Sequence, residues 1–351
     1  MSYQCYKDIK TQAAAWRAAL VAVDSLAEDL AVFFAERPSE LLFAACGSPY
    51  YLGLANAALW RERLGLRTTV VPSSEIMLFR ETVLPRGGRP VLFTASRSGE
   101  TTETVRAAEA FAGRFSGRTL LVGCRPESKL HQLADMAIVV PEGNEDVIPQ
   151  TRSFGSMYLA AQYLVALLAD DAELTDALRR LSDLLPGLFD RWEPVIRRTA
   201  AAGWSSAVFL GGGPLYGVAV EGTLKLTEMS LSPAIPYHTL EVRHGPRSTI
   251  DEETLVVGLG SQRGASQERQ VMAELAEETP HVLALTPESG WGGLGKTTTE
   301  VPLGHRVPEH ALGLLYLPLL QLLAYHRALH KGVNPDESRN LTSYIELPDQ
   351  G

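Results

Sequence analysis

Short runs of consecutive apolar residues, rather than alternating ones, recur along the first half of the chain. They fall at residues 41–46, 68–71, 90–95, 119–123 and 136–140. Between them, residues 50–64 and 101–115 carry apolar positions at helical spacing. In the second half the clearest runs are 207–211, 254–260 and 281–286. Continuous apolar strands alternating with amphipathic helices predict parallel sheets covered on both faces. A leading helix is expected over roughly residues 8–35. The charged segment 170–198 reads as a helical connector with breaks at Pro186-Gly187 and Pro194. No stretch reads as the roughly 18–20 apolar residues that a bilayer span needs.

The chain also contains itself twice. Phe43-Ala-Ala-Cys-Gly-Ser-Pro-Tyr-Tyr51 lines up with Val208-Phe-Leu-Gly-Gly-Gly-Pro-Leu-Tyr216 at an offset of 165 residues. The same offset sets Val91-Leu-Phe-Thr-Ala-Ser-Arg-Ser-Gly99 on Val256-Val-Gly-Leu-Gly-Ser-Gln-Arg-Gly264, pairing Ser96 with Ser261 and Gly99 with Gly264. Further on, Tyr158, Gln162 and Leu167 resemble Tyr316, Gln321 and Leu329 after a small deletion. A domain-sized period means two copies of a domain, not a solenoid. The expected fold is therefore α/β, two tandem doubly wound, flavodoxin-like three-layer units with parallel sheets. The expected order is an N-terminal helix (1–35), a first domain (36–169), a connector (170–198), a second domain (199–335) and a C-terminal tail (336–351).

Composition narrows the function. The 351 residues are 45% apolar and 21% charged, enough for two real cores. A net charge of −9 opposes non-specific nucleic-acid binding, which needs a broad basic surface. The start, Met1-Ser2-Tyr3-Gln4-Cys5-Tyr6, carries no secretory pattern, and three cysteines without a C-x-x-C pair suit a reducing compartment, so a cytoplasmic protein is expected.

The chemistry is expected at the carboxyl ends of the strands. There stands Thr94-Ala-Ser-Arg-Ser-Gly-Glu-Thr-Thr102, between an apolar strand and a helical run. A capping turn accounts for one hydroxyl. Four of them (Ser96, Ser98, Thr101, Thr102) around Gly99 make a phosphate cradle, with hydroxyls and helix-start N–H groups as donors. Neither a Walker lysine nor the G-x-G-x-x-G spacing is present. The second copy, Ser261-Gln-Arg-Gly-Ala-Ser266, keeps the shape but loses hydroxyls, and reads as a structural loop.

The second copy has its own signal. Glu221, Lys225 and Glu228 share one face of a helix over residues 215–230 whose other positions are apolar nearly all round. An exposed pair would be ordinary, but buried Lys and Glu are rare unless they pair or function. The polar segment 236–246 follows, with Glu241, Arg243 and His244 close together and His244 the candidate proton shuttle. His238 is a weaker candidate. His305, His310, His326 and His330 read as structural or exposed, and no pair has metal-ligand spacing.

These motifs resemble the sugar isomerase (SIS) domain family, in particular the double-SIS isomerase half of glucosamine-6-phosphate synthase and its stand-alone relatives. Ser96-Arg-Ser-Gly-Glu-Thr101 is similar to the family's S-x-S-G-E-T loop, Glu221-Gly-Thr-Leu-Lys-Leu-Thr-Glu228 to E-G-A-L-K-L-K-E, Arg243-His-Gly-Pro246 to K-H-G-P, and Arg339-Asn-Leu341 to R-N-L. The resemblance implies that Ser96, Ser98 and Thr101 hold a phosphate, and that Arg97, where the synthase has Gln, belongs to the same phosphate-binding set. It implies that Glu228 is the base moving a proton between C1 and C2, that Lys225 lines the site and that His244 opens the sugar ring. In the family this His reaches the neighbouring subunit, which implies a homodimer. Ser48, Ile148, Gln150 and Thr151 match positions that touch the sugar. No metal or organic cofactor is implied. Two positions depart from the pattern: Pro49 replaces a serine, and Ser343 replaces a lysine used for ring opening. Cys5 is not an N-terminal nucleophile, so no glutaminase activity is expected. The expected activity is a phosphosugar isomerase/deaminase acting on glucosamine or galactosamine 6-phosphate and releasing ammonia. The alternatives are a fructosamine-phosphate deglycase and a non-catalytic phosphosugar sensor.

Overall fold

The computed structural model describes residues 2–115, 117–295 and 297–348. Its leading segment is three helices rather than one: α1 (Gln4–Lys10), α2 (Gln12–Asp24) and α3 (Ala27–Ala35). The chain divides into two compact units. The first unit holds Thr11–Ser182 and the tail from Asn340; the second holds the residues up to Lys10 and Asp183–Arg339.

In the first unit, strands β1 (Leu41–Ala45), β2 (Thr68–Pro72), β3 (Val91–Ser96), β4 (Thr119–Gly123) and β5 (Met136–Val139) form one sheet. Every pairing is parallel, in the order β2-β1-β3-β4-β5. The helices are α4 (Ser48–Leu64), α5 (Ser73–Val83), α6 (Thr102–Ala112), α7 (Lys129–Leu133) and α8 (Arg152–Leu168). β1, β3 and β4 are buried at every position, the condition that unbroken apolar runs foretell. One core packs Leu42, Leu92 and Leu121 against Ile76, Val105 and Phe111 of α5 and α6. Elsewhere Phe93 packs against Phe43 in a tilted pair and edge-on against Trp60, with ring centroids 4.7 and 5.7 Å apart. A Cβ on Gly53 of α4 would lie 2.3 Å from the Phe43 ring, so a glycine is needed for that helix to approach the sheet.

Helix α9 (Ala172–Ala200) runs through Pro186 and Pro194 without the breaks expected there. Leu174, Leu178, Leu181, Leu185 and Leu188 line one buried stripe of it. Burying such a stripe outweighs the roughly 3 kcal/mol that an interior proline costs.

The second unit repeats the topology. β6 (Ser206–Gly211), β7 (Ala234–His238), β8 (Thr254–Leu259), β9 (Val282–Thr286) and β10 (Thr298–Pro302) are parallel, in the order β10-β9-β8-β6-β7. With α10 (Pro214–Ser230), α11 (Ala265–Leu275) and α12 (Leu312–His330) they give the same doubly wound arrangement. β7 includes Pro236–His238, which the sequence reads as loop. The strand sits at the sheet edge, where a proline's missing N–H leaves no ladder bond unmade. Residues 309–330 correct a second expectation: they are long and apolar enough to cross a membrane, and 89% of the apolar window is buried inside the protein. α12 is a core helix packed on α10.

The internal match survives with a changed register. Gly47 (φ +60°) and Gly213 (φ +52°) each stand immediately before a helix, one residue off the 165 offset. At the second turn α6 starts at Thr102 and α11 at Ala265, an offset of 163. The strands give an intermediate value: Leu41 and Ala207 make the same edge bond and pair with Val91 and Leu255, an offset of 164 between β3 and β8. At the helix starts Thr101 is therefore the counterpart of Gly264 and Val105 of Glu268, while inside the turn the Gly264 N–H bonds Ser261 Oγ as the Gly99 N–H bonds Ser96 Oγ.

Glu145, 4% exposed, closes the N-terminus of α8. It accepts from the N–H groups of Thr151 (2.7 Å), Arg152 (3.2 Å) and Ser153 (3.0 Å) and from the hydroxyls of Thr151 and Ser153. Replacing it with Ala leaves those donors buried, so Glu145→Ala is expected to lower unfolding stability by roughly 2–4 kcal/mol in urea titration. An unchanged midpoint would show that the cap contributes nothing.

Candidate functional site

In the first unit the strand order reverses between β1 and β3, the switch point at which doubly wound sheets bind ligands. Thr94 bridges the two strands, its hydroxyl donating to the Ala44 carbonyl at 2.7 Å. Ser48 opens α4 beyond β1 and is buried. Ser96 ends β3, and the chain turns through Gly99 at φ +69°. The Gly99 N–H donates to Ser96 Oγ (2.9 Å), and the Glu100 N–H to Ser98 Oγ (3.2 Å). Ser128 packs so closely that a Cβ on Gly99 would lie 2.1 Å from its hydroxyl. The turn is thus fixed from outside, since Leu130 N–H donates to the Gly99 carbonyl (3.1 Å) and Lys129 N–H to Glu100 (3.0 Å). Among the described residues, the N–H groups of Ser98 and Thr101 make no hydrogen bond. With the hydroxyls of Ser96, Ser98 and Thr101 they form a compact set of donors at the start of α6.

Arg97, 5% exposed, turns its guanidinium onto backbone carbonyls: Val147 (2.5 Å), Ile148 (3.3 Å) and Ser343 (3.3 Å). It ties the segment that carries Ile148 and Gln150, together with the tail, to the turn. The tail continues along α6, where Thr102 N–H donates to the Ile345 carbonyl (3.1 Å) and Arg106 to that of Pro348 (2.9 Å). Thr151 is fully buried and its hydroxyl belongs to Glu145, whereas Ile148 and Gln150 are half-exposed. The roles of Glu145 and of the tail carbonyls were not foreseen, because a cap six residues upstream and backbone acceptors leave no sequence signature.

In the second unit α10 carries the ionisable group. Lys225 Nζ lies 2.6 Å from Glu228 and 3.4 Å from Glu221. The side chains of Lys225 and Glu221 are 0% exposed, that of Glu228 14%. Two carboxylates therefore share one ammonium inside the helix packing, and Glu228 is the member that reaches solvent. A carboxylate held at its inner edge and open at its outer edge is placed to take a proton from a bound molecule.

His244 is exposed, on a loop between two single-turn helices, and Gly245 follows at φ +123°. Arg243 anchors the loop to α11 through a forked pair with Glu274 at 3.0 and 2.7 Å, which holds the Glu274 carboxyl below its ordinary range. No hydrogen bond or ion pair joins His244 to Lys225 or Glu228 among the described residues. His238 stacks on Tyr216, with centroids 3.8 Å apart. His310 is buried, His326 bonds Glu193 at 3.1 Å, and His305 and His330 are exposed. No cluster of three metal-ligating side chains occurs among the described residues. A hollow of about 540 Å³ in the first unit, among α3, α4 and α8, is lined by leucines and carries no acid or base besides Arg37, whose guanidinium caps the end of α4.

Two doubly wound units, one with a donor-rich turn and one with a half-open carboxylate on a buried lysine, define a duplicated α/β protein. The SIS domain model matches residues 35–167 and again 202–331, and the chain belongs to that family. It is 29% identical over 318 residues to a glutamine–fructose-6-phosphate aminotransferase (isomerizing) of Zymomonas mobilis, covering 86% of this chain and 51% of that one. The chain thus spans about half the length of the curated relatives it matches. Among solved structures, a glucosamine-6-phosphate deaminase from Thermotoga maritima superposes with a TM-score of 0.75 at 28% identity, covering 94% of this chain and 100% of that one. The C-terminal domain of the Francisella tularensis glucosamine-fructose-6-phosphate aminotransferase reaches 0.86 at 22% identity, over 96% and 98%, and shares the fold.

Lys225 neutralises a fully buried carboxylate, so its loss leaves charge inside the unit. Lys225→Met is expected to cost roughly 3–5 kcal/mol of unfolding stability, and a further Glu221→Leu to restore part of it. A Lys225→Met protein as stable as wild type in urea would contradict the ionic packing.

Proposed function

We propose that the chain is a phosphosugar isomerase/deaminase acting on a 2-amino-2-deoxyhexose 6-phosphate and releasing ammonia. The observation that supports it best is Glu228, a carboxylate pinned by a buried lysine yet open on its outer edge. A protein that only binds an anionic sugar gains nothing from a carboxylate kept there. The likeness to a glucosamine-6-phosphate deaminase over nearly the whole of both chains points to the same chemistry.

In this reading the phosphate is taken by the N–H groups of Ser98 and Thr101 and the hydroxyls of Ser96, Ser98 and Thr101. Arg97 is a positioning residue, holding the backbone of Val147 and Ile148 in place. Ser48, Ile148 and Gln150 face the sugar, and Thr151 acts through the Glu145 cap. His244 shuttles the proton that opens the ring to the aldehyde. Glu228 then removes the proton from C2, and the C–H electron pair forms the C1=C2 bond of an enolamine as O1 is protonated. Returning the proton to C1 gives the 2-imine, and water converts that to the ketose and ammonia. Each step needs only general acid–base catalysis, typically about 10²–10⁴-fold per positioned group. The active species is a homodimer, as the family resemblance implies.

The sensor reading draws on Pro49 and Ser343, which remove a hydroxyl and a lysine from the family pattern. Incubation with glucosamine 6-phosphate, galactosamine 6-phosphate, or fructose 6-phosphate plus ammonia separates the two. Ammonia or ketose formation is expected, with kcat falling about 10²–10⁴-fold in Glu228→Gln. Binding without turnover on these substrates and on a fructosamine phosphate would sink the proposal. Light scattering at assay concentration tests the dimer, and a monomeric active species would remove that part of it.

A further inference from the structure

We infer that the turn after β8 is an anion cradle filled by the chain's own Glu268 carboxylate, and that removing this side chain opens a second phosphate-binding turn. The comparison with the first unit rests on the phosphate reading of the Ser96–Thr101 turn. The internal occupation of the second turn stands on its own contacts.

The offset of 163 at the helix starts and the contacts inside the turn carry the argument. Ser261 accepts the turn's glycine N–H as Ser96 does in the first unit, and its own N–H donates to Glu268 Oε2 at 2.7 Å while its hydroxyl donates to Oε1 at 2.9 Å. The Gly264 N–H, counterpart of that of Thr101, donates to Ser261 Oγ at 2.8 Å. The neighbouring Gln262 N–H donates to Glu309 Oε2 at 2.8 Å, and its side-chain amide donates to the Val307 carbonyl. The N–H groups of Ser261, Gln262 and Gly264 and the Ser261 hydroxyl are thus all taken here by side chains of the same unit. At the shared offset, the residue equivalent to Glu268 is Val105, a core side chain of α6. The acid is an addition of the second copy.

Backbone around the carboxylate is shaped to admit it. A Cβ on Gly264 would lie 2.7 Å from Glu268 Oε1, and one on Gly212, in the turn after β6, 3.2 Å. Glycines from both turns at the switch point therefore enclose one oxygen atom. The front of the turn opens on a cavity of about 400 Å³ lined by Gly212, His238, Thr239, Glu241 and Gln267. An incoming anion has a route to the position once the carboxylate is gone. Burial pushes the Glu268 carboxyl up, and the negative charge of Glu309 adds to the effect, against the lowering by the two Ser261 bonds. Glu309 remains after Glu268 is removed, so the opened turn should hold phosphate more weakly than the first.

Equilibrium dialysis of inorganic phosphate against the full chain tests this. Wild type is expected to bind one equivalent per chain and Glu268→Val two, while Glu268→Val with Glu309→Gln tightens the second. In a Gly99→Ala background, which disables the first turn, Glu268→Val should still bind one equivalent. No gain in folded Glu268→Val and Glu268→Ala overturns the inference and leaves the first turn untouched. Absence of binding to wild type, with one equivalent in Glu268→Val, would instead discard the phosphate reading of the first turn. A readout free of variants uses amide exchange on wild type. Phosphate should slow exchange at residues 96–102 and leave 259–266 unchanged, and slowing at 259–266 would overturn the proposal.

Discussion

A parallel strand that passes through a tight turn directly into a helix delivers several backbone N–H groups to one spot with no partner inside either element. Doubly wound sheets concentrate such turns at the point where strand order reverses, and both units here have one. Buried N–H groups must be bonded, so the turn calls for an acceptor, best an anion. In the second unit the chain supplies it through Glu268 and Glu309. In the first it does not, even though Gly99, Ser128 and Leu130 hold the turn in one shape. A rigid set of donors with no acceptor in its own chain is what the proposed phosphate site requires, and the two units differ in how that requirement is met.

The same economy shapes α10. An ammonium with no exposed surface is tolerable only when carboxylates surround it, and Lys225 has Glu221 on one side and Glu228 on the other. Because Glu221 is buried as deeply as the lysine, it meets the electrostatic need inside the packing. Glu228 is left pinned at a fixed angle with its outer face available. Fixed orientation is what a general base requires and what an exposed surface glutamate lacks, since a free side chain samples many rotamers.

Much of this was legible in the sequence, for identifiable reasons. Strands buried on both faces leave unbroken apolar runs, so β1, β3, β4 and β8 were plain. The glycine and hydroxyls of the first turn, and the Glu–Lys–Glu spacing on an apolar helix, are local patterns and could be read without structure. What stayed hidden depends on tertiary context. Pro236 looks like a loop residue until the sheet places it on an edge. Pro186 and Pro194 look like breaks until a buried leucine stripe holds α9 straight. Arg97 reads as a phosphate ligand by position, yet its guanidinium lies against three carbonyls, two of them about 50 residues away and one 246. Backbone acceptors have no side-chain signature, so no pattern could have announced them.

The register shift shows how far identity of residues can mislead about identity of place. Matching Ser96 with Ser261 and Gly99 with Gly264 preserves letters and the bond inside the turn, but the helix starts match Thr101 with Gly264 and Val105 with Glu268. Under the letter match Glu268 falls opposite Glu103, an acid opposite an acid, and nothing distinguishes the copies there. In the structural match it falls opposite Val105, and the difference acquires a meaning. The second turn has no hydroxyl at the position of Thr101, where Gly264 now stands. It carries, one helical turn further on, the Glu268 carboxylate. A buried turn must bond its N–H groups whether or not an external anion is available, and in the second unit the internal acid does so.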